Sequence, residues 1–270
     1  FEAKGSAGGA AGGKASGNRI TAKLDRVTVA EGLALTGVSA DVSTKGGITG
    51  AFTAGVNGRS RIVGTLSRAR AGGAKPAVRI GAADAGAVIA AAGIFGKLSG
   101  GKLDLVLEPI GAMFQGHLEI SQTRVTDAPV LASMLSAISG VGLVEQLNGE
   151  GLAFNNGEVS FVLTPRAVEI TQGSAVGASL GISFAGLYLT GSGAIDLQGV
   201  ISPIYLVNGV GQILTRKGEG LFGFNYRVTG TAEDPNVAVN PLSVLTPGMF
   251  RELFRQRPPN LKDAEGDGGG

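Results

Sequence analysis

Few residues of this chain stand where chemistry would need them. The stretch GEGLFG, Gly218 to Gly223, has the glycine spacing of a dinucleotide-binding turn. That turn needs a strand before it and a helix after it, so that free N–H groups can meet a pyrophosphate. Here the alternating stretch LFGFNYRV follows at once and reads as a strand, so no helix N-terminus is on offer. GGAAGGK from Gly8 imitates a phosphate loop, but Ala15 stands where a hydroxyl must reach magnesium, and GKLSGGK from Gly96 fails likewise at Leu103. His117 is the single histidine. It shares a strand face with Gln115 and Glu119, opposite Phe114, Leu118 and Ile120, and lacks a Ser or Cys motif nearby, so it reads as a solvated strand residue. Asp25, Asp41, Asp104, Glu158 and Asp196 fall on polar faces or at turns. A hydrolytic pair must face across a cleft, and no such pair is legible. We expect no catalytic residue, no metal ligands and no cofactor.

Composition narrows the class. The chain has 270 residues, 47 of them glycine, no cysteine and no tryptophan, and its formal net charge is +2. Mean hydropathy is +0.25, too high for a disordered chain, and no Gly-X-Y period makes it collagen-like. The absence of cysteine excludes disulfides and thiolate metal sites and fits a periplasmic protein. No Lys/Arg cluster with interleaved aromatics marks nucleic-acid binding, so no nucleic-acid partner is expected. No apolar run approaches the ~20 residues that span a bilayer. The chain starts at Phe1, and a signal peptide or membrane anchor upstream is an expectation consistent with that.

The elements follow from periodicity. Residues 1–17 are low-complexity Gly/Ala/Ser/Lys and read as a flexible segment. From Asn18 onward short alternating stretches such as RITAKLD recur between glycine turns, each a half-buried strand. ADAGAVIAAAGIF reads as a helix capped by Asp84. DAPVLASMLSAISGVGLVEQL reads as a helix with Asp127 as N-cap, Pro129 in the first turn and an apolar stripe along Val130, Leu131, Met134, Leu135, Ile138 and Val141. SPIYLVNGVGQIL reads as a short helix opened by Pro203, and residues 257–270 as a disordered tail. The expected fold is mainly β: a curled antiparallel sheet forming an apolar groove, with three or four short helices, in one module over 18–245.

The apolar strand faces are the strongest feature. A second sheet could cover them, giving an ordinary sandwich core, or the sheet could curl into a trough filled by acyl chains. For the second arrangement the lining is Val159, Phe161 and Leu163, then Ile182, Phe184, Leu187 and Leu189 with a bend at Gly181 or Gly186, then Ile195 and Leu197. Phe222, Phe224, Tyr226 and Val228 complete it. Its role is passive, since an apolar wall solvates acyl chains without headgroup chemistry.

Several segments in order carry a family resemblance: ADAGAVIAAAGI, SGGKLDL, GHLEISQTRVTDAPVLASMLS, GEGLAF, IDLQGVISPIYLVNGV, and the long stretch GEGLFGFNYRVTGTAEDPNVAVNPLSVLTPGMFRELF. Over Arg19 to Phe254 the chain resembles the C-terminal domain of the AsmA-like family of Gram-negative bacteria. The resemblance implies a periplasmic protein held in the inner membrane by an N-terminal helix. It also implies a curled β-groove that moves phospholipid towards the outer membrane, as bridge-like lipid transfer proteins do. The chain lacks the anchor helix and is too short to bridge the periplasm, so it corresponds to a terminal module. The implied partners are phospholipid acyl chains and the outer-membrane surface or an outer-membrane protein. The alternative is a structural or assembly protein of the outer-membrane envelope, with a dry core and a docking C-terminal end.

The C-terminal stretch fits either case. Asp234-Pro235 and Asn240-Pro241 are expected to stop the sheet, because proline cannot donate to a ladder. Thr246 then caps a helix over 246–256 with Pro247 in its first turn. Met249, Phe250, Leu253 and Phe254 make an apolar patch beside Arg251 and Arg255, a pattern suited to a membrane interface. The other reading is a helix that caps the open end of the sheet.

Overall fold

The computed structural model describes residues 18–30, 32–70, 74–138, 141–203, 223–231 and 234–240. Thirteen strands pair in sequence order into one antiparallel sheet, which is not closed. Three short helices accompany them among the described residues. The chain divides into two compact units, residues 1–114 and 115–270.

The first unit is a meander of β1 (Arg19–Ala30), β2 (Leu33–Ser43), β3 (Thr49–Val56), β4 (Ser60–Arg68), β5 (Pro76–Ala82) and β6 (Leu98–Ile110), with helix α1 (Ala85–Ala91) between the last two. Turn chemistry sets the register. Asn57 and Gly58 both have positive φ (47° and 72°), and the Arg59 N–H donates to the Val56 carbonyl at 2.9 Å. That geometry matches the strand twist and suits Asn-Gly. Asp84 caps α1 as expected, accepting from the Ala87 N–H at 2.9 Å. The helix packs on β4 and β6 and buries Ala85, Val88, Ile89 and Ala91, and those strands bury Ile62 and Leu103.

Strand β7 (Met113–Val125) leads into the second unit, which holds β8 (Leu152–Leu163), β9 (Ala167–Gly177), β10 (Leu180–Leu189), β11 (Ala194–Pro203), β12 (Phe224–Thr231) and β13 (Pro235–Asn240). Between β7 and β8 lie α2 (Pro129–Ala137) and α3 (Val141–Asn148). α3 touches β8, while α2 touches α3 and β13. On a flat sheet β13 would lie five spacings, ~24 Å, from β8. Strands that curl towards the helix pair meet both, and bulges at Phe154/Asn156 and at Ser160/Phe161 increase the bend. Leu135, Leu147, Leu152, Leu180 and Ile201 are fully buried at this end.

Four local expectations are corrected. The expected single helix is two, with α2 ending at Ala137. Its N-cap is Ala128, with no side-chain bond, because Asp127 sits one residue earlier in a left-handed conformation (φ 47°). The Asp127 backbone N–H instead donates to the Leu147 carbonyl at the end of α3. Pro203 is itself a strand residue, the last of β11, opposite Leu180. Pro235 does not stop the sheet but starts β13, opposite Gly230. A first residue on an outermost strand is where a missing N–H costs no ladder bond. The rest of the segment expected as a helix after Pro203, the helix over 246–256, the low-complexity residues 1–17 and the tail over 257–270 lie outside the described residues.

Candidate apolar binding face

Alternation places apolar side chains on one face of each unit and charged ones on the other. In the second unit, register aligns Val159, Gly173, Phe184, Gly199, Tyr226 and Val239 in a row across six strands. Neighbouring rows are Ala175, Ile182, Ile201 and Phe224, and Ile170, Gly186, Leu197, Val228 and Val237. Leu163 is opposite Val168 and Ile195 opposite Tyr188, on the same face. Phe222 and the expected membrane-contact residues Met249, Phe250, Arg251, Leu253, Phe254 and Arg255 lie outside the described residues.

Leu187 and Leu189 are placed differently from the expected lining. Leu187 is opposite Glu169 and Asp196, and Leu189 opposite Ala167. The extra residue is in β9, where Gly173 and Ile170 both meet the apolar row, so β10 alternates without interruption through Gly186. Residues 182, 184, 186 and 188 therefore share one face, and 187 and 189 the other. Leu187 is nevertheless only 7% exposed.

Aromatic rings on this face lie flat over glycines of the neighbouring strand. A methyl group on Gly173 would sit 2.2 Å from the Phe184 ring and one on Gly116 2.1 Å from the Phe161 ring, while one on Gly199 would meet the Ser183 carbonyl oxygen at 1.8 Å and the Tyr226 hydroxyl at 2.9 Å. That hydroxyl donates to the Ser183 carbonyl at 3.0 Å. The first unit repeats the device: Ala40, Phe52, Gly64, Ile80 and Leu105 form a row, and a methyl on Gly64 would sit 2.2 Å from Phe52. Each ring fills the space its glycine leaves, so the face is smooth and not studded. Val159, Phe161, Ile182, Phe184, Leu197, Phe52, Ile80 and Leu105 are all half-buried. A large apolar face left half open favours an apolar ligand or partner. The glycines themselves are common in the sequence; what spacing alone could not reveal is which glycine sits under which ring.

The opposite face carries charge. Arg19 meets Asp41, Arg79 meets Asp104, and Arg227 meets Asp196 through paired contacts of 2.9 and 2.7 Å. Hydrogen bonding from Arg19 holds the Asp41 carboxyl below its usual range, and bonding to Asp196 raises Arg227. In the first unit a shallow depression on this face is lined by Thr21, Ser39, Asp41, Thr53, Thr65 and Arg79.

One constellation escaped sequence reasoning. His117 Nδ1 is 3.1 Å from the Ser160 hydroxyl, and Nε2 is 3.2 Å from Glu119 Oε1. The residues match a nucleophile, base and orienting acid, but lie on the open polar face, with the His117 and Glu119 side chains 46% and 56% exposed. In water such charges are screened and gain little from one another. Ser160 lies 43 residues from His117, so only strand pairing could reveal it. Among the described residues no group of three or more His, Cys, Asp or Glu could hold a metal ion, and no helix is long and apolar enough to cross a membrane.

Comparison of the chain with protein-family models, curated proteins and solved structures finds no match.

Proposed function

We propose that the chain is a lipid-handling β module, a terminal segment of a periplasmic protein that moves phospholipid between the inner and outer membranes along its apolar face. The observation that carries the reading is the segregated face: rows of aliphatic side chains and flattened rings, half open, with the charged pairs on the far side. Acyl chains are solvated by such a surface without specific bonds, and no chemical reaction is proposed. The resemblance to the AsmA-like family supports the same reading and supplies its periplasmic setting, inner-membrane anchor and outer-membrane partner.

The test is native mass spectrometry with lipid extraction on protein expressed in the periplasm. Bound phospholipid in defined stoichiometry, lost in Phe184→Asp while the cooperative melt persists, is the expected result. A lipid-free mass, with a melt that added phospholipid leaves unmoved, overturns it. A second reading rests on the fully buried cluster around Leu135, Leu147, Leu180 and Ile201, which is an ordinary dry core. A structural or assembly protein of the envelope needs no more than that core and a docking end. It predicts the lipid-free outcome, with Phe184→Asp unfolding the chain.

A further inference from the structure

At one end of the first unit three connections meet. Asn57, in the β3–β4 turn, donates to the carbonyl of Gly32, between β1 and β2, and to that of Ala91, at the end of α1. The chain leaves α1 there through a tight stop. Gly93 has a φ of 73° and its N–H donates to the Ala90 carbonyl at 3.0 Å, while the Ile94 N–H donates to the Ile89 carbonyl at 3.1 Å. In a helix stop of this kind the residue in the place of Ile94 commonly packs its side chain back onto the helix. Ile94 is instead 73% exposed, the most exposed large apolar residue among those described, and Phe95 beside it is 40% exposed.

A lone apolar side chain on a surface is ordinary. Here two stand in succession on backbone pinned by hydrogen bonds. The glycines on either side, Gly93 and Gly96, border open space, since a methyl group on either would meet nothing within 4 Å. The same rim is cationic. Arg59 lies in the β3–β4 turn, Arg61 near the start of β4 and Lys97 two residues after Phe95, and all three are exposed. Among the described residues of the three connections, 29–33, 56–61 and 91–98, there is no carboxylate. Glu31 lies outside the described residues.

We propose that this rim seats on an anionic phospholipid membrane, with Ile94 and Phe95 at the acyl boundary and Arg59, Arg61 and Lys97 at the lipid phosphates. A bilayer surface offers hydrocarbon and phosphate in adjacent layers, which matches an apolar pair bordered by cations. The rim consists of turns at strand ends, so the contact leaves both edges of the sheet to any strands that continue it. It is separate from the stretch over 246–256, and it goes beyond the proposed lipid-handling role because it needs no lipid on the apolar face.

The chain has no tryptophan, so Phe95→Trp is a unique fluorescent probe. On vesicles of phosphatidylcholine and phosphatidylglycerol its emission is expected to shift to the blue and to be quenched by lipids brominated on their acyl chains. Met113→Trp, the length of β6 away and of similar exposure at 37%, is expected to show neither change. Ile94→Asp in the Phe95→Trp chain is expected to weaken the binding read from quenching by about tenfold or more. Arg59→Glu/Arg61→Glu is expected to remove the preference for phosphatidylglycerol. All of these sites are exposed, so circular dichroism should be unchanged. Absence of quenching at position 95, even in a chain that binds vesicles elsewhere, overturns the inference. So does equal quenching at position 113, or quenching that Ile94→Asp and the arginine variant leave unaltered. A lipid-free native mass would remove the apolar-face reading and leave these expectations standing, so the two fail separately.

Discussion

At the scale of single residues, the side chains that matter reach between elements. Asn57 is the clearest. Its Oδ1 accepts from the Ala34 N–H, and its Nδ2 donates to the carbonyls of Gly32 and Ala91, each at 2.8 Å. One side chain thus ties the start of β2 and the end of α1 to the β3–β4 turn, while its own φ of 47° is tolerated best by Asn or Gly. Asn57→Ala is expected to cost about 2–3 kcal/mol, because it leaves part-buried groups unpaired and strains the turn. Asn57→Gly relieves the strain but not the lost bonds, so its urea midpoint should fall between those of Asn57→Ala and the parent. The ring–glycine pairs make a second prediction. Gly173→Val lifts the Phe184 ring from the sheet, with an expected cost of about 1–3 kcal/mol. In a Phe184→Ala background most of that cost should vanish, and a double-mutant cycle measures the coupling. Glycine turns between strands were expected from the sequence, but Asn57's three partners were not legible, since they lie 23 to 34 residues away.

At the scale of elements, most strands were legible because alternation of apolar and polar residues is a local signal. The misreadings cluster where a local rule met a long-range partner. Pro235 looked like a breaker until β12 supplied a strand for it to flank. Leu187 looked like lining because Gly186 looked like a bend, whereas the irregularity is in β9. A bulge is a property of two strands and cannot be read from one. Ion pairs across strands give a testable pH response. The Asp41 carboxyl is held below its ordinary range chiefly by hydrogen bonding from Arg19. A depressed carboxylate contributes stability that is present above its unfolded value, about 3.9, and lost as pH falls through the folded one. Wild type and Asp41→Asn should therefore differ in melting temperature at neutral pH and converge below about pH 3.9. The pair is exposed, so the difference should be small and should shrink with added salt. A gap that widens on acidification would assign the pH response to other groups.

At the scale of the molecule, the organising fact is that strand alternation has been kept in phase within each unit. Apolar residues share one face across six strands of the second unit, and the same holds for the rows of the first. A one-residue slip anywhere would turn a strand inside out, so the phase is a strong constraint on the sequence whatever the face binds. Whether lipid occupies it can be asked at adjacent residues. Leu197 and Gln198 are neighbours on β11, but Leu197 is opposite Gly186 and Val228 on the apolar face, and Gln198 opposite Ala185 and Arg227 on the charged one. A photocrosslinking amino acid at 197 should capture phospholipid in periplasmic expression, and the same probe at 198 should not. Both residues are half-buried and adjacent in one element, so the contrast isolates the face. Equal capture at both sites would mean that lipid merely coats the protein. Capture at neither, with both variants folded, would mean that protein covers the face, and the structural reading would then account better for the packing.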